Sequence, residues 1–168
     1  MTTILFAVRH GETKWNLEER QQGHLDSGLT ERGIRQAEFL AEGLSNKNIE
    51  VLYSSDLGRA LQTAEIIANK LSLPIHTDSR LRERHLGVMQ SLTKKEFSEK
   101  FPDIAAQFYT GNPDYILPEG ESARQRYNRC IACAEELVQR EAGRRILIVA
   151  HGGVLNSFFL QSTQYSVK

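Results

Sequence analysis

The sequence predicts an α/β fold of three layers, with a mostly parallel sheet between helices. Three observations predict it. Apolar runs of strand length occur at residues 3–8, 50–55 and 144–150. Segments with a helical apolar period separate and follow them. No repeat and no linker long enough to divide the chain occurs, so the 168 residues are read as one domain, 1–168.

Each element has its own signal. Residues 3–8 are apolar and bounded by polar residues, which suits a buried strand. Thr30 can cap a helix over 30–44 in which Ile34, Ala37, Leu40, Ala41 and Leu44 share a face. "EVLYSS" (50–55) is the second strand. The helix after it aligns Leu57, Leu61, Ala64, Ile67, Ala68 and Leu71 and ends before Pro74, and "IHT" (75–77) reads as a short strand. Residues 79–92 read as loop. "TKKE" (93–96) and "SARQ" (122–125) fit capping boxes and so mark helix starts. Residues 111–121, rich in Gly, Pro, Asn and Asp, read as a surface loop. "RRILIVA" (144–150) is a third strong strand, and "GGVLNSFFL" begins the last helix.

Composition bounds the function. Lysine plus arginine equals aspartate plus glutamate, 21 each, so no global field draws nucleic acid or an anionic membrane. No apolar stretch approaches the ~20 residues of a membrane helix, and no signal-peptide pattern opens the chain. The expected location is the cytoplasm, as a monomer or homodimer. Cys130 and Cys133 lie inside a helical pattern and read as buried thiols rather than a redox or zinc motif.

The unusual residues fall at strand ends. The first run ends in Arg9-His10-Gly11, the second in "SSDLGR" with Arg59, and the third in His151-Gly152-Gly153. In an open α/β sheet, ligands bind beyond the carboxyl ends of the strands. If these strands are parallel neighbours, two histidines and two arginines converge there, with glycines admitting backbone amides to a ligand. Such a cluster suits a tetrahedral dianion: arginine forks onto phosphate oxygens, and neutral imidazole is a usable nucleophile. No carboxylates accompany it at metal-ligand spacing, so neither a metal nor a cofactor is implied. A proton donor for a leaving alkoxide is still needed, and spacing does not separate Glu83 from Glu119 or Glu121. His24 and His76 read as ordinary polar positions, Trp15 as a packing anchor, and Lys94 and Lys95 as a solvated face.

"RHGETKWN" (9–16) resembles the signature of the histidine phosphatase superfamily, which includes cofactor-dependent phosphoglycerate mutases. "RQQGHLDSGLTERGIRQA" (20–37), "LYSSDLGRALQTAEIIA" (52–68), "PEGES" (118–122) and "VAHGGVL" (149–155) resemble further family blocks, in family order. The resemblance implies a phosphoglycerate mutase-like fold and assigns roles. His10 would become phosphohistidine. Arg9, Arg59 and His151 would hold the phosphoryl oxygens. Glu83 would donate the proton, and Asn16, Gln22 and the amides of Gly23 and Gly152 would add contacts. The expected activity is metal-independent hydrolysis of a small phosphorylated metabolite, with residues 97–120 as a lid or specificity segment. The alternatives are a cofactor-dependent phosphoglycerate mutase and an inactive phosphate-binding protein. Against the mutase, Leu86 stands where mutases carry tyrosine and Gly153 where they carry asparagine. Their adjacent arginine pair is also absent, so no grip for a second phosphate or a carboxylate is expected. Family members usually have glycine where Ser91 stands. They also continue into a further strand and helix beyond the span read here, so a bare sheet edge or apolar face is expected.

Overall fold

The structure, a computed structural model, describes residues 2–165. The strands are β1 (Ile4–Arg9), β2 (Val51–Ser54), β3 (Ile75–Thr77) and β4 (Arg145–Ala150). The helices are α1 (Lys14–Leu17), α2 (Glu31–Leu44), α3 (Gly58–Leu71), α4 (Lys94–Lys100), α5 (Pro102–Phe108), α6 (Ala123–Arg140) and α7 (Gly152–Tyr165). Among the described residues the strands form one parallel sheet in the order β1-β4-β2-β3. β4 therefore lies between β1 and β2, and the three strand ends that carry the unusual residues are immediate neighbours.

Two layers of helix cover the sheet. On one face Leu52, Leu147 and Val149 pack against Ala41 and Leu44 of α2 and Ala60, Ala64 and Ile67 of α3. On the other, Val51, Tyr53, Ile146 and Ile148 meet Cys130, Cys133 and Leu137 of α6 and Val154 of α7. The two cysteines are buried free thiols within this core, and burial pushes the Cys133 thiol up to about 12. Alternate residues of β2 and β4 thus feed opposite cores, as parallel central strands require.

The capping boxes at Thr93 and Ser122 are formed, and Thr30 accepts from the Gly33 amide. Two sequence expectations change. β1 is half-buried rather than buried, because it sits at the sheet edge with β4 as its one neighbour. Residues 79–92 are not plain loop; they contain 3₁₀ turns at Ser79–Leu81 and Gly87–Met89.

Residues 86–117 form a satellite core of their own. Phe97, fully buried, gathers Leu86, Met89, Ala105 and Leu117, with Phe101 and Phe108 packed against it. The aromatic residues of the expected lid are therefore occupied largely in packing one another.

Candidate active site

The parallel register delivers the first group of side chains. Arg9 pairs with Ala150, the His10 amide donates to Ala150 O at 3.0 Å, and the Ser55 amide donates to Val149 O at 3.0 Å. His10, His151 and Ser55 are thereby set side by side. The His10 and His151 ring centroids are 5.3 Å apart. Gly11 then passes so close to α2 that a Cβ on it would lie 2.3 Å from Gly33 O, so both contact points must be glycine. Thr63 Oγ1 accepts from the Gly11 amide at 3.1 Å and fixes the turn that carries His10.

The tautomer of His10 follows from its partner. Nδ1 lies 2.7 Å from Gly11 O, and a carbonyl only accepts, so Nδ1 carries the proton and Nε2 keeps its lone pair. Burial pushes the pKa of His10 down to about 4, with Arg59 and Arg9 adding to the effect against the Gly11 hydrogen bond. The ring is neutral at neutral pH. Burial also holds His151 well below the ordinary histidine value, reinforced by Arg59 and His10. His151 Nε2 is 2.8 Å from Ser55 Oγ, and its buried Nδ1 has no partner among the described residues.

Arg59 is 2% exposed and is aimed by Asp26 and two carbonyls. Nη1 donates to Asp26 Oδ1 at 2.7 Å and to Leu25 O at 2.9 Å, and Nη2 donates to Gly23 O at 2.8 Å. Asp26 also accepts from the amides of Gly58 and Arg59, capping α3 from outside its own chain segment. The Arg9 side chain has no hydrogen bond or ion pair among the described residues and runs past Gly152, where a Cβ would lie 3.8 Å from its Nε. Two arginines and two neutral imidazoles therefore crowd one point, with Asp26 the carboxylate that pairs directly with Arg59 among the described residues.

Arg9, His10 and Arg59 open onto a cleft of about 610 Å³ that Asn16, Gln22, Gly23, Glu83 and Gly152 also line, while His151 is fully buried and does not line it. Asn16 Oδ1 accepts from the Thr13 amide in a capping box, which commits its oxygen and leaves its amide NH₂ as the donor end. Gln22 is buried, with Oε1 taking Ser27 Oγ–H at 3.3 Å. Trp15 also lines the cleft and is not solely a packing anchor; Lys94, although exposed, borders it too. The residues between 97 and 120, read from sequence as a lid, contribute no lining residue. Leu86 and Lys94, just ahead of that segment, supply the rim instead.

Glu83 enters from the loop after β3. Oε2 accepts from the Gly153 amide at 2.9 Å and Oε1 from the Arg84 amide at 2.8 Å. Its backbone is clamped from below. The Glu83 carbonyl accepts from Arg129 Nη2 and from His24 Nε2, both at 2.8 Å. Arg129 Nη1 also holds the carbonyls of Arg80 and Arg82, and Nη2 meets Glu121 Oε1 at 2.5 Å. His24 stacks edge-on against His85 at 4.6 Å, so it is a buttress rather than an ordinary polar position. Burial pulls the Glu121 carboxyl upward, but the Arg129 hydrogen bond and the His85 amide outweigh it and leave Glu121 below its usual value.

Sequence reasoning missed Ser55, Asp26, Arg129 and Arg126. Arg126 lines the cleft and stands 3.6 Å from Glu83 Oε1. It lies four residues after the Ser122 cap and three before Arg129, on one face of α6, a spacing that does not by itself say what that face meets. Among the described residues no group of three or more His, Cys, Asp or Glu side chains is placed to hold a metal ion. Among the described residues no helix is long and apolar enough to cross a membrane.

Comparison with known proteins places the chain in a family and a fold. Residues 5–168 match the family model described as "Histidine phosphatase superfamily (branch 1)". The chain is 44% identical over 158 residues to phosphoglycerate mutase-like protein 4 of Arabidopsis thaliana, covering 92% of this chain and 69% of that protein. It is 40% identical over 167 residues to a metal-independent phosphoserine phosphatase of the same plant, covering 98% and 70%. Among solved structures, YhfR of Bacillus stearothermophilus superposes with a TM-score of 0.91 at 37% identity, covering 97% of this chain and 81% of that one.

Proposed function

This chain belongs to the histidine phosphatase superfamily, and from that premise we propose that it hydrolyses small phosphomonoesters, without a metal, through a phosphohistidine formed on His10. The observation that carries the reading is the state of His10: a neutral ring with its Nδ1 proton tied to Gly11 O and its Nε2 lone pair free at the cleft.

The steps follow from the residues present. The phosphoryl oxygens of the ester lie among Arg9, Arg59 and His151, with the Asn16 and Gln22 side chains and the amides of Gly23 and Gly152 completing the cradle. Phosphoryl transfer is mainly a matter of position and charge, and preset guanidiniums supply both. His10 Nε2 forms a bond to phosphorus as the P–O bond to the alcohol breaks. Glu83, protonated, gives its proton to the departing oxygen. Water then attacks the phosphohistidine, Glu83 takes the proton from it, and phosphate leaves with His10 restored. A metal-independent phosphatase among the similar proteins supports the metal-free form.

The test is turnover of p-nitrophenyl phosphate in excess EDTA, with acid-labile radiolabel trapped on the protein. Wild type should turn over and label, and His10→Ala should do neither. Activity that disappeared with the chelator, or label surviving in His10→Ala, would overturn the reading. A coupled assay in which primed interconversion of phosphoglycerates outruns hydrolysis would replace it with the mutase reading.

A further inference from the structure

The cleft holds a cation that these steps do not use. The Arg126 side chain is 13% exposed and short of partners. Nη2 donates to Ser157 Oγ at 3.2 Å, Nη1 approaches Glu83 Oε1 only to 3.6 Å, and Nε is buried with no partner among the described residues. A guanidinium has five N–H donors, so most of this one's capacity is unused by the protein itself. Nε itself is too buried to reach a ligand, but Arg126 lines the cleft with Nη hydrogens left uncommitted, and uncommitted donors of a largely buried guanidinium point to a ligand.

Gly153 is what lets Arg126 into the cleft. A Cβ at that position would fall 2.1 Å from Arg126 Nη1 and 2.3 Å from Glu83 Oε1. Any larger residue there would displace the guanidinium or the carboxylate. Gly153 and Arg126 therefore act as one device.

Position and charge say what the device faces. Arg126 stands 3.6 Å from Glu83, the group that reaches the ester oxygen, and so lies on the leaving-group side of the cleft. When Glu83 carries the proton it must deliver, Arg126 has no anion against it among the described residues. A second negative group on the substrate would restore the balance where water is scarce. Lys94 lines the same cleft, exposed and without an ion pair among the described residues, as a further cation on the open side. The sequence reading expects no grip for a second anion, whereas Arg126 of α6 brings a guanidinium to the cleft.

We propose that Arg126, admitted by Gly153, is a specificity-determining residue that binds a second anionic group, carboxylate or phosphate, carried by the leaving group. The orientation of the substrate in this inference rests on the phosphatase reading above; the binding itself does not.

The experiment measures binding of three inert phosphonates by calorimetry: propylphosphonate, 3-phosphonopropionate and propylene-1,3-bisphosphonate. Wild type should bind one or both of the doubly anionic ligands roughly 10- to 100-fold tighter than propylphosphonate, the range of a charge-assisted contact. Which of the two gains identifies carboxylate or phosphate. In Arg126→Leu the preference should shrink to about twofold, with propylphosphonate binding changed less than about threefold. Gly153→Val, which leaves the arginine in the sequence but crowds its Nη1 and the Glu83 carboxylate, should weaken the same preference. Equal binding of all three by wild type overturns the proposal even if neither variant folds, and so does a preference that survives in Arg126→Leu. Turnover of phenyl phosphate is scored separately. Turnover without anion preference sinks the subsite alone, and preference without turnover sinks hydrolysis alone.

Discussion

At one end of the cleft, Arg9, His10 and His151 grow from strand ends that the sheet locks side by side. At the other, Glu83 rides on a loop whose position is set by side chains. The ladder of backbone bonds between β1 and β4, six residue pairs in register, fixes the histidine end. The glutamate end hangs largely on one guanidinium, Arg129, which holds the carbonyls of residues 80, 82 and 83. Chemistry placed by backbone survives most side-chain changes around it, whereas chemistry placed by a side-chain clamp is only as rigid as the clamp. The comparison can be broken by variants that disturb one end alone.

The largest effect belongs to the histidine end. His10→Ala removes the proposed nucleophile and should lower kcat by on the order of 10⁴-fold or more, with a fold unchanged by circular dichroism. The same residue marks stability. His10 titrates near 4 when folded and near its ordinary 6.5 when unfolded, so between those values the unfolded chain binds more protons. Its contribution is in place above about pH 6.5 and is lost as pH falls toward 4. Denaturant titrations should show that decline in wild type and a shallower one in His10→Ala. An NMR titration placing the His10 ring near 6.5 would contradict the buried neutral state.

At the glutamate end, Glu83→Gln should slow the phosphorylation step, read in a single turnover, by about 10²- to 10⁴-fold for alkyl phosphates and much less for p-nitrophenyl phosphate, whose leaving group needs no proton. Equal losses in that step would remove Glu83 from the role of acid. Arg129→Lys is the sharper test of the clamp. One ammonium cannot replace a fork spanning three carbonyls. We expect a stability loss of about 1–3 kcal/mol and a kcat reduced with KM for phenyl phosphate little changed, because the phosphate cradle lies elsewhere. A rise in KM alone would show that the two ends are not independent.

The same contrast explains what could be read in the sequence. Strand ends are legible because an apolar run and its charged terminus are contiguous, as in Val8-Arg9-His10. That those runs pair as parallel neighbours is a condition the sequence leaves open, and the sheet order β1-β4-β2 meets it. Cap positions such as Thr93 and Ser122 are legible for the same local reason. Arg126 and Arg129 were not, because a helix 18 residues long presents arginines at several angles and only the tertiary packing selects the pair facing Glu83. Asp26 was hidden by distance: it caps a helix that begins 32 residues later. The half-burial of β1 was hidden too, since an apolar run does not say whether it has one neighbour or two.

Ser91 offers the smallest and most local test, at the hinge between the two ends. It sits at φ +66°, in the left-handed region that relatives in the sequence reading meet with glycine. Its place is over-determined by partners: its amide donates to Gln21 O at 2.8 Å, and its carbonyl accepts from Arg20 Nη1 at 2.8 Å. These bonds tie the loop behind Glu83 to the segment bearing Gln22 and Gly23, so the backbone is held against its preference. A non-glycine residue held there costs about 1 kcal/mol or slightly more. Ser91→Gly relieves that cost but returns several tenths of a kcal/mol to the unfolded chain as added entropy. The net gain should be about 0.5 kcal/mol, roughly 1–2 °C in Tm for a chain this long, with kcat and KM within about twofold. A clear drop in Tm would mean that the serine is not strained where it stands. A drop in kcat at unchanged Tm would mean that the loop needs its stiffness to keep Glu83 aimed, and would make this hinge a third element of the glutamate end.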